Sequence, residues 1–388
     1  MALPSDFTLL QVVPELETGG AEQTTLDIAR AVVGAGGRAL VASRGGRMVE
    51  RLTADGGQLF AMPAASKNPL TIVANAVRLA SLIRRERVSL VHARSRAPAF
   101  SALWAARATG TPFVATYHGV YKARSALKRW YNAVMTRGDL VIANSDYTRD
   151  HVLAEHRLDP ARLVTIARGV DLARFDPASV APERLAALRQ AWGLAANETR
   201  TVFLLAGRLT RIKGHLTLIE AAKRLRDAGR TDFIILFAGD DQGRTDYSAE
   251  LAAAIAAAGL NDVVRAVGHC VDMPAAYLLC DVALLPTIVP ESFGRAAVEP
   301  QAMGRPVIAS SHGGAVETVA DGVTGWLAEP EDAAAWTDAL GRSIDVGPEH
   351  RRRMGDAGMT RASKLYPVEA MCAATLAAYA RVLEARGR

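Results

Sequence analysis

The stretch PESFGRAAVEP, residues 290–300, decides how the rest of the chain is read. The apolar run DVALLP (281–286) before it reads as a short buried strand, and 287–292 as the loop leaving its C-terminal end. After Gly294, the residues Ala296, Ala297, Ala302 and Met303, with Glu299 among them, fit a helix that Gly304-Arg305-Pro306 stops. Glu291 therefore stands on a loop and Glu299 inside a helix. Were both helical, eight positions would separate them by about 12 Å along the axis, too far to grip one small group. They suit different parts of one extended ligand. The amides of Phe293 and Gly294 fall at the helix start, where an anion is welcome. A surface loop with a capping glutamate and an unrelated helical one is the plainer alternative.

A chain of 388 residues is long for one core, so two domains are expected. Hydrophobic content of 50% with 22% charge is that of a globular protein. No apolar run reaches the length of a membrane span. The start, MALPSDFTLLQVV, has no basic region or cleavage site and runs directly into a strand, so no signal peptide is expected. Cys270, Cys280 and Cys372 lack metal-ligand spacing and fit reduced thiols of a cytoplasmic protein. Charge is uneven. Residues 1–180 hold 23 Lys and Arg against 15 Asp and Glu, a net of +8, while the remainder holds 23 against 25, a net of −2. A basic half suggests an anionic acceptor, a membrane surface or a nucleic acid. No zinc-finger, RNA-recognition or basic-zipper pattern supports the last, so no nucleic-acid partner is expected.

Taken in order, the strand-like run 7–13 precedes Gly19-Gly20 and an amphipathic helix over 21–33. Strands at 38–42, 57–61, 88–92, 113–116 and 139–143 then alternate with helices at 70–87, 97–108 and 125–136. Strands separated by helices imply a parallel sheet covered on both faces. Residues 171–182 (DLARFDPASVAP) carry two prolines and no periodicity, and mark a linker. A second alternation follows, with strands at 201–206, 233–238, 263–267, 281–286, 306–310 and 325–328, and three helices close the chain. The expected fold is α/β: two tandem doubly wound Rossmann-like domains, 1–170 and 171–368, facing across a cleft, with a last helix at 369–388 returning to the first. Ligands of such sheets bind at the C-terminal strand ends. A dinucleotide fold would need Gly-x-Gly-x-x-Gly after the first strand and an acid ending the second. The chain has PELETGGA and Ala42-Ser43-Arg44 there, so a dehydrogenase is not expected.

Three further segments carry chemistry. Gly19-Gly20, opening a helix, lets a ligand approach closely or offers amides to a phosphate, although Gly-Gly is common in plain turns. GRLTRIKG, 207–214, sets Arg208 and Lys213 after a strand and before a helix, as a diphosphate clamp would; two solvated cations are the alternative. His118 follows a strand in TYHG, where a structural histidine is the ordinary reading.

Together these segments resemble the retaining glycosyltransferases of family 4, with the GT-B fold. The family's Glu-x7-Glu stands as Glu291 and Glu299, its Gly-Arg-Leu-x-x-x-Lys-Gly as Gly207 to Gly214, its glycine loop as Gly19-Gly20 and its His-Gly as His118-Gly119. GGAVE (313–317) and DGVTG (321–325) are also family-like. Arg168 departs from the pattern, since many relatives have Asn before Gly-Val-Asp. The resemblance implies a UDP- or GDP-linked sugar as donor, no cofactor, and no metal. Arg208 and Lys213 would neutralise the leaving diphosphate, assisted by amides near Ser292, Phe293 and Gly294 and at Gly19-Gly20. Glu299 would hold the ribose, Glu291 a sugar hydroxyl, and His118 the transferred sugar near its reacting end. Arg168, Lys122 and Arg124 are weaker acceptor-side candidates. The acceptor would be a saccharide or lipid-linked saccharide of envelope polysaccharide or lipopolysaccharide assembly.

A glycoside hydrolase would need the two glutamates about 5–9.5 Å apart and has no use for the cationic clamp. A nucleotide-sugar epimerase of the same architecture and a non-catalytic sugar-nucleotide module remain. The segment YKARSALKRWY, 121–131, mixes cations with Tyr, Leu and Trp at helical spacing. It suggests peripheral attachment to an anionic membrane, unless Leu127 and Trp130 are buried in the core.

Overall fold

The computed structural model describes residues 3–17, 19–121, 125–243 and 245–387. The chain forms two compact units, Met1–Gly169 with Val368–Arg388, and Val170–Pro367.

In the first unit the strands are β1 Thr8–Val12, β2 Arg38–Ser43, β3 Gln58–Ala61, β4 Leu90–Ala93, β5 Phe113–Tyr117, β6 Leu140–Ala143 and β7 Leu163–Thr165. All pair in parallel, in the order β3-β2-β1-β4-β5-β6-β7. Between them lie α1 Gly20–Gly34, α2 Val49–Ala54, α3 Pro69–Arg85, α4 Arg96–Thr109, α5 Ala126–Asn132 and α6 Asp146–Glu155. Leu10 and Val12 face a core shared with Leu79, Ile83 and Leu103, which lie on α3 and α4. Leu9 and Val13 face the other core, built with Ile28 and Val32 of α1 and with Tyr379 and Leu383 of the terminal helix Val368–Ala385. Burial on both faces explains why the central strands are mostly apolar, while the edge strand β3 has no buried residue. Local signals set the helix ends. Asn68 accepts from the amides of Leu70 and Thr71 and precedes Pro69, a start worth about 1 kcal/mol.

The second unit holds α7 Pro182–Ala191, β8 Thr201–Ala206, α8 His215–Asp227, β9 Phe233–Ala238, α9 Thr245–Ala257, β10 Val264–Gly268, α10 Met273–Leu279, β11 Val282–Leu285, α11 Arg295–Ala302, β12 Val307–Ser310, α12 Ala315–Thr318, β13 Gly325–Ala328, α13 Ala333–Asp345 and α14 Gly347–Leu365. Its strands run β10-β9-β8-β11-β12-β13, again all parallel. The order of the strands reverses between β1 and β4 in one sheet and between β8 and β11 in the other. In doubly wound sheets that reversal opens a crevice at the strand ends.

Four elements differ from the sequence expectation. The helix expected over 125–136 is α5 followed by a 3-10 turn, Ala133–Thr136. Helix α6 and strand β7 were not foreseen: α6 buries only Thr148 and Val152, and β7 has three residues. Helix α7 begins at Pro182, the last residue of the stretch read as irregular, and runs to Ala191, where no element was expected. None of its residues is buried, and Pro182, read as a breaker, occupies its first turn, where proline is accepted.

Candidate functional site

In the second unit, three loops meet at the C-terminal ends of β8, β11 and β12. The β8 loop runs through a 3-10 turn, Arg211–Lys213, to Gly214, whose φ of 74° opens α8. A Cβ on Gly214 would stand 1.8 Å from the Pro286 carbonyl oxygen, so only glycine lets the β8 and β11 loops come this close. The Ile288 amide donates to the Ile212 carbonyl at 3.0 Å, and the Gly314 amide to the Glu291 carbonyl at 2.7 Å. His312 Nε2 donates to the Thr287 carbonyl at 2.8 Å. These ties hold Lys213 Nζ 2.6 Å from Glu291 Oε1, with the two side chains 17% and 28% exposed. Both groups are thus reachable from solvent and preorganised at the strand reversal. Arg208, on the same β8 loop, is exposed and makes no side-chain hydrogen bond or ion pair among the described residues.

Glu299 lies on α11, one turn after Arg295, which donates to its Oε1 from Nη2 at 2.7 Å and from Nε at 3.1 Å. The Tyr277 hydroxyl donates to the other oxygen at 3.4 Å. Burial, and then the Glu299 charge, hold the Tyr277 phenol protonated far above its ordinary range. Gly294 caps α11 in the left-handed region, Ser292 is buried, and Phe293 packs edge-on against Tyr366 at 5.3 Å.

In the first unit, His118 follows β5, and Arg168 Nη2 donates to its Nδ1 at 2.7 Å. Burial, then the charges of Arg168 and Arg94, push the imidazole well below its usual value. The neutral ring accepting at Nδ1 carries its proton on Nε2, a donor. A Cβ on Gly20 would meet Arg168 Nη1 at 2.4 Å, and one on Gly19 the Glu22 carboxylate at 2.1 Å. The glycine pair therefore makes room for two of the protein's own side chains. At the strand reversal Arg94, itself buried, donates from Nε to Gln11 Oε1 at 3.0 Å. Lys122 and Arg124 lie outside the described residues.

The sequence reading singled out both members of the Lys213–Glu291 pair but not their contact. It missed Tyr277, Arg94 and Gln11. Arg295 had a visible signal, four residues before Glu299 on one helix; Tyr277, on another helix, had none.

Two family models match the chain, Glycosyltransferase Family 4 over residues 18–174 and Glycosyl transferases group 1 over residues 188–361. A glycosyltransferase from Rickettsia africae is 33% identical with a TM-score of 0.89, over 97% of this chain and 99% of that one. The D-inositol 3-phosphate glycosyltransferase of Salinispora tropica is 33% identical over 274 residues, 65% of this chain. The match spans 55% of that relative's own length. The Anabaena protein Alr3699/HepE, solved with UDP and glucose, shares the fold at 23% identity and a TM-score of 0.83, over 96% of this chain and 100% of its own. The architecture of two Rossmann-like domains is the GT-B class. The chain belongs to glycosyltransferase family 4, the glycosyl transferases of group 1.

Proposed function

We propose that the protein is a retaining, metal-independent glycosyltransferase that moves a sugar from a UDP- or GDP-linked donor to a saccharide or lipid-linked saccharide. The observation that carries this reading is the Lys213–Glu291 pair, held by three loops at the strand reversal of the second unit. Lys213, with Arg208, supplies fixed positive charge where the diphosphate leaves, and a preorganised cation stabilises charge that grows in the transition state. Glu291 accepts from a sugar hydroxyl and also orients the Lys213 ammonium. Glu299, held by Arg295 and Tyr277, accepts from the ribose hydroxyls. Amides at Phe293 and Gly294 assist the phosphates. His118, as its Nε2–H tautomer, donates to the transferred sugar, and Arg168 maintains that tautomer. Retention follows from attack on the face the diphosphate leaves, with the donor phosphate taking the acceptor proton.

A panel of UDP- and GDP-sugars, scored for slow release of nucleoside diphosphate without acceptor, tests this. One donor should be hydrolysed; release from none would overturn the reading, and interconversion of the sugar without release would favour an epimerase. Because Arg208 and Lys213 carry the neutralising charge, hydrolysis is expected to persist in excess chelator. Complete loss restored by Mg²⁺ or Mn²⁺ would show the diphosphate is neutralised by a metal instead.

Work at the inner surface of a cytoplasmic membrane, in envelope polysaccharide or lipopolysaccharide assembly, is the finer proposal. No helix among the described residues is long and apolar enough to cross a membrane. Helix α5, in contrast, exposes Leu127 at 76% and Trp130 at 53% on either side of Lys128 and Arg129, as interfacial helices do. Cosedimentation with anionic vesicles should weaken with salt and on Lys128→Glu/Arg129→Glu, with little binding to neutral vesicles. No binding at low salt would remove the membrane proposal and leave a soluble acceptor.

A further inference from the structure

The first unit carries a groove of about 890 Å³ between α4, α5 and α6 that none of the catalytic or donor-binding roles above uses. Five of its lining residues are arginines, Arg107, Arg129, Arg137, Arg157 and Arg162, and Glu155 is the one carboxylate among them. Arg137 and Arg162 stand just before β6 and β7, so the groove lies toward the N-terminal edge of the sheet. His118, by contrast, follows the C-terminal end of β5. A second hollow of about 490 Å³ shares Arg107, Arg137 and Arg162 and extends the basic surface to Arg386, which is paired with Asp139.

Some of these cations have structural duties. Arg162 donates to the carbonyls of Gly138 and Thr136, and the Arg137 guanidinium lies 5.1 Å over the Trp130 ring. Arg107, Arg129 and Arg157 make no side-chain hydrogen bond or ion pair among the described residues. Guanidinium groups gathered in one groove repel each other unless an anion lies between them. A guanidinium fork matches the paired oxygens of a phosphate, and several forks converging on one groove match a group with many phosphate oxygens better than a lone carboxylate.

The groove wall indicates where that phosphate comes from. Trp130 lines the groove and is half exposed, and Leu127 projects one turn earlier on α5. Phe100 links Trp130 to Trp104 of α4, at ring distances of 5.6 and 6.2 Å. From 56 to 138 the chain holds thirteen Lys and Arg against the single Glu86. An aromatic rim beside cations, with Glu155 and Asp139 the carboxylates lining the two hollows, suits a bilayer interface, where rings enter the headgroup layer and cations meet phosphates.

We infer that this groove is a phosphate site that takes the phosphomonoester headgroup of an anionic lipid. It deepens the membrane proposal by giving the surface a defined pocket, and it does not depend on the transferase reading. A phosphomonoester carries close to two charges and three terminal oxygens, whereas a phosphodiester headgroup carries one charge and two. The groove therefore prefers phosphatidic acid to phosphatidylglycerol even at equal surface charge.

The test is cosedimentation with phosphatidylcholine vesicles containing either lipid at matched surface charge. Arg107 and Arg157 are both exposed and have no side-chain partner among the described residues, so Arg107→Glu/Arg157→Glu should fold normally, with donor hydrolysis unchanged as the check. Wild-type protein should bind phosphatidic acid vesicles more tightly than phosphatidylglycerol vesicles. The double variant should lose at least about tenfold in affinity for the former, since each charge near such a surface counts measurably. Tripolyphosphate should compete with phosphatidic acid vesicles for the wild type. Equal binding of the two lipids would reduce the groove to diffuse surface charge and overturn the proposal. Unchanged vesicle binding by the variant would also overturn it. If tripolyphosphate binding is lost in that variant while vesicle binding is kept, the source is a free oligophosphate and the lipid assignment fails.

Discussion

Lys213→Ala is expected to lower the rate constant at saturating donor by about 10²-fold or more, the scale for removing one preorganised transition-state stabiliser. The side chain is held by the Glu291 carboxylate at 2.6 Å and by a loop that Gly214 locks against Pro286. Its charge therefore needs little rearrangement when the diphosphate begins to leave. Stability should change far less. Both partners are partly exposed, and losing such a pair costs at most about 1 kcal/mol. Arg208→Ala should slow the reaction on a similar scale with no change in melting temperature, because Arg208 has no side-chain partner to lose among the described residues. The measurement is nucleoside diphosphate release under saturating donor, paired with a thermal melt of each variant. A wild-type rate constant in either variant would remove that residue from the clamp.

Gly214→Ala should have the larger effect on stability. At φ 74° an alanine is strained by about 1–2 kcal/mol. The added methyl, 1.8 Å from the Pro286 oxygen, forces the β8 and β11 loops apart, and such overpacking costs about 1–3 kcal/mol. A loss of roughly 2–5 kcal/mol in a unit of this size lowers the melting temperature by roughly 4–20 °C. Activity should fall as well, because the displaced loops carry the Ile212–Ile288 tie and the Lys213–Glu291 pair. A variant that melts with wild type and turns over normally would mean that the two loops are not coupled.

What could be read from the chain followed the range of the interactions. Glu299 on a helix after a glycine start, and Arg295 one turn before it, are local facts, and PESFGRAAVEP displays them. The two parallel sheets were legible because strands buried on both faces are mostly apolar. The meeting of Lys213 with Glu291 spans 78 positions and that of Arg168 with His118 spans 50. Such contacts depend on which strands become neighbours, which periodicity does not encode. Helix α7 was lost for another reason. With no buried face it has no amphipathic signal. The segment around Trp130 left burial and exposure equally open, because its spacing fits both; the structure exposes Leu127 and Trp130.

The return of Val368–Ala385 to the first unit sets the order in which the two cores can close during synthesis. Domains ordinarily complete in the order they emerge. Here Val170–Pro367 is continuous and has all its strands once Pro367 has been made. The first unit is still missing Val368–Ala385 at that moment. Until Tyr379 arrives, His92 lacks the hydroxyl 2.5 Å from its Nδ1, and Leu9, Val13 and Val32 lack the apolar cover of Val382 and Leu383. The segment that emerges first is therefore the later of the two units to close its core, and the nascent protein must hold that open face until Val368–Ala385 has emerged.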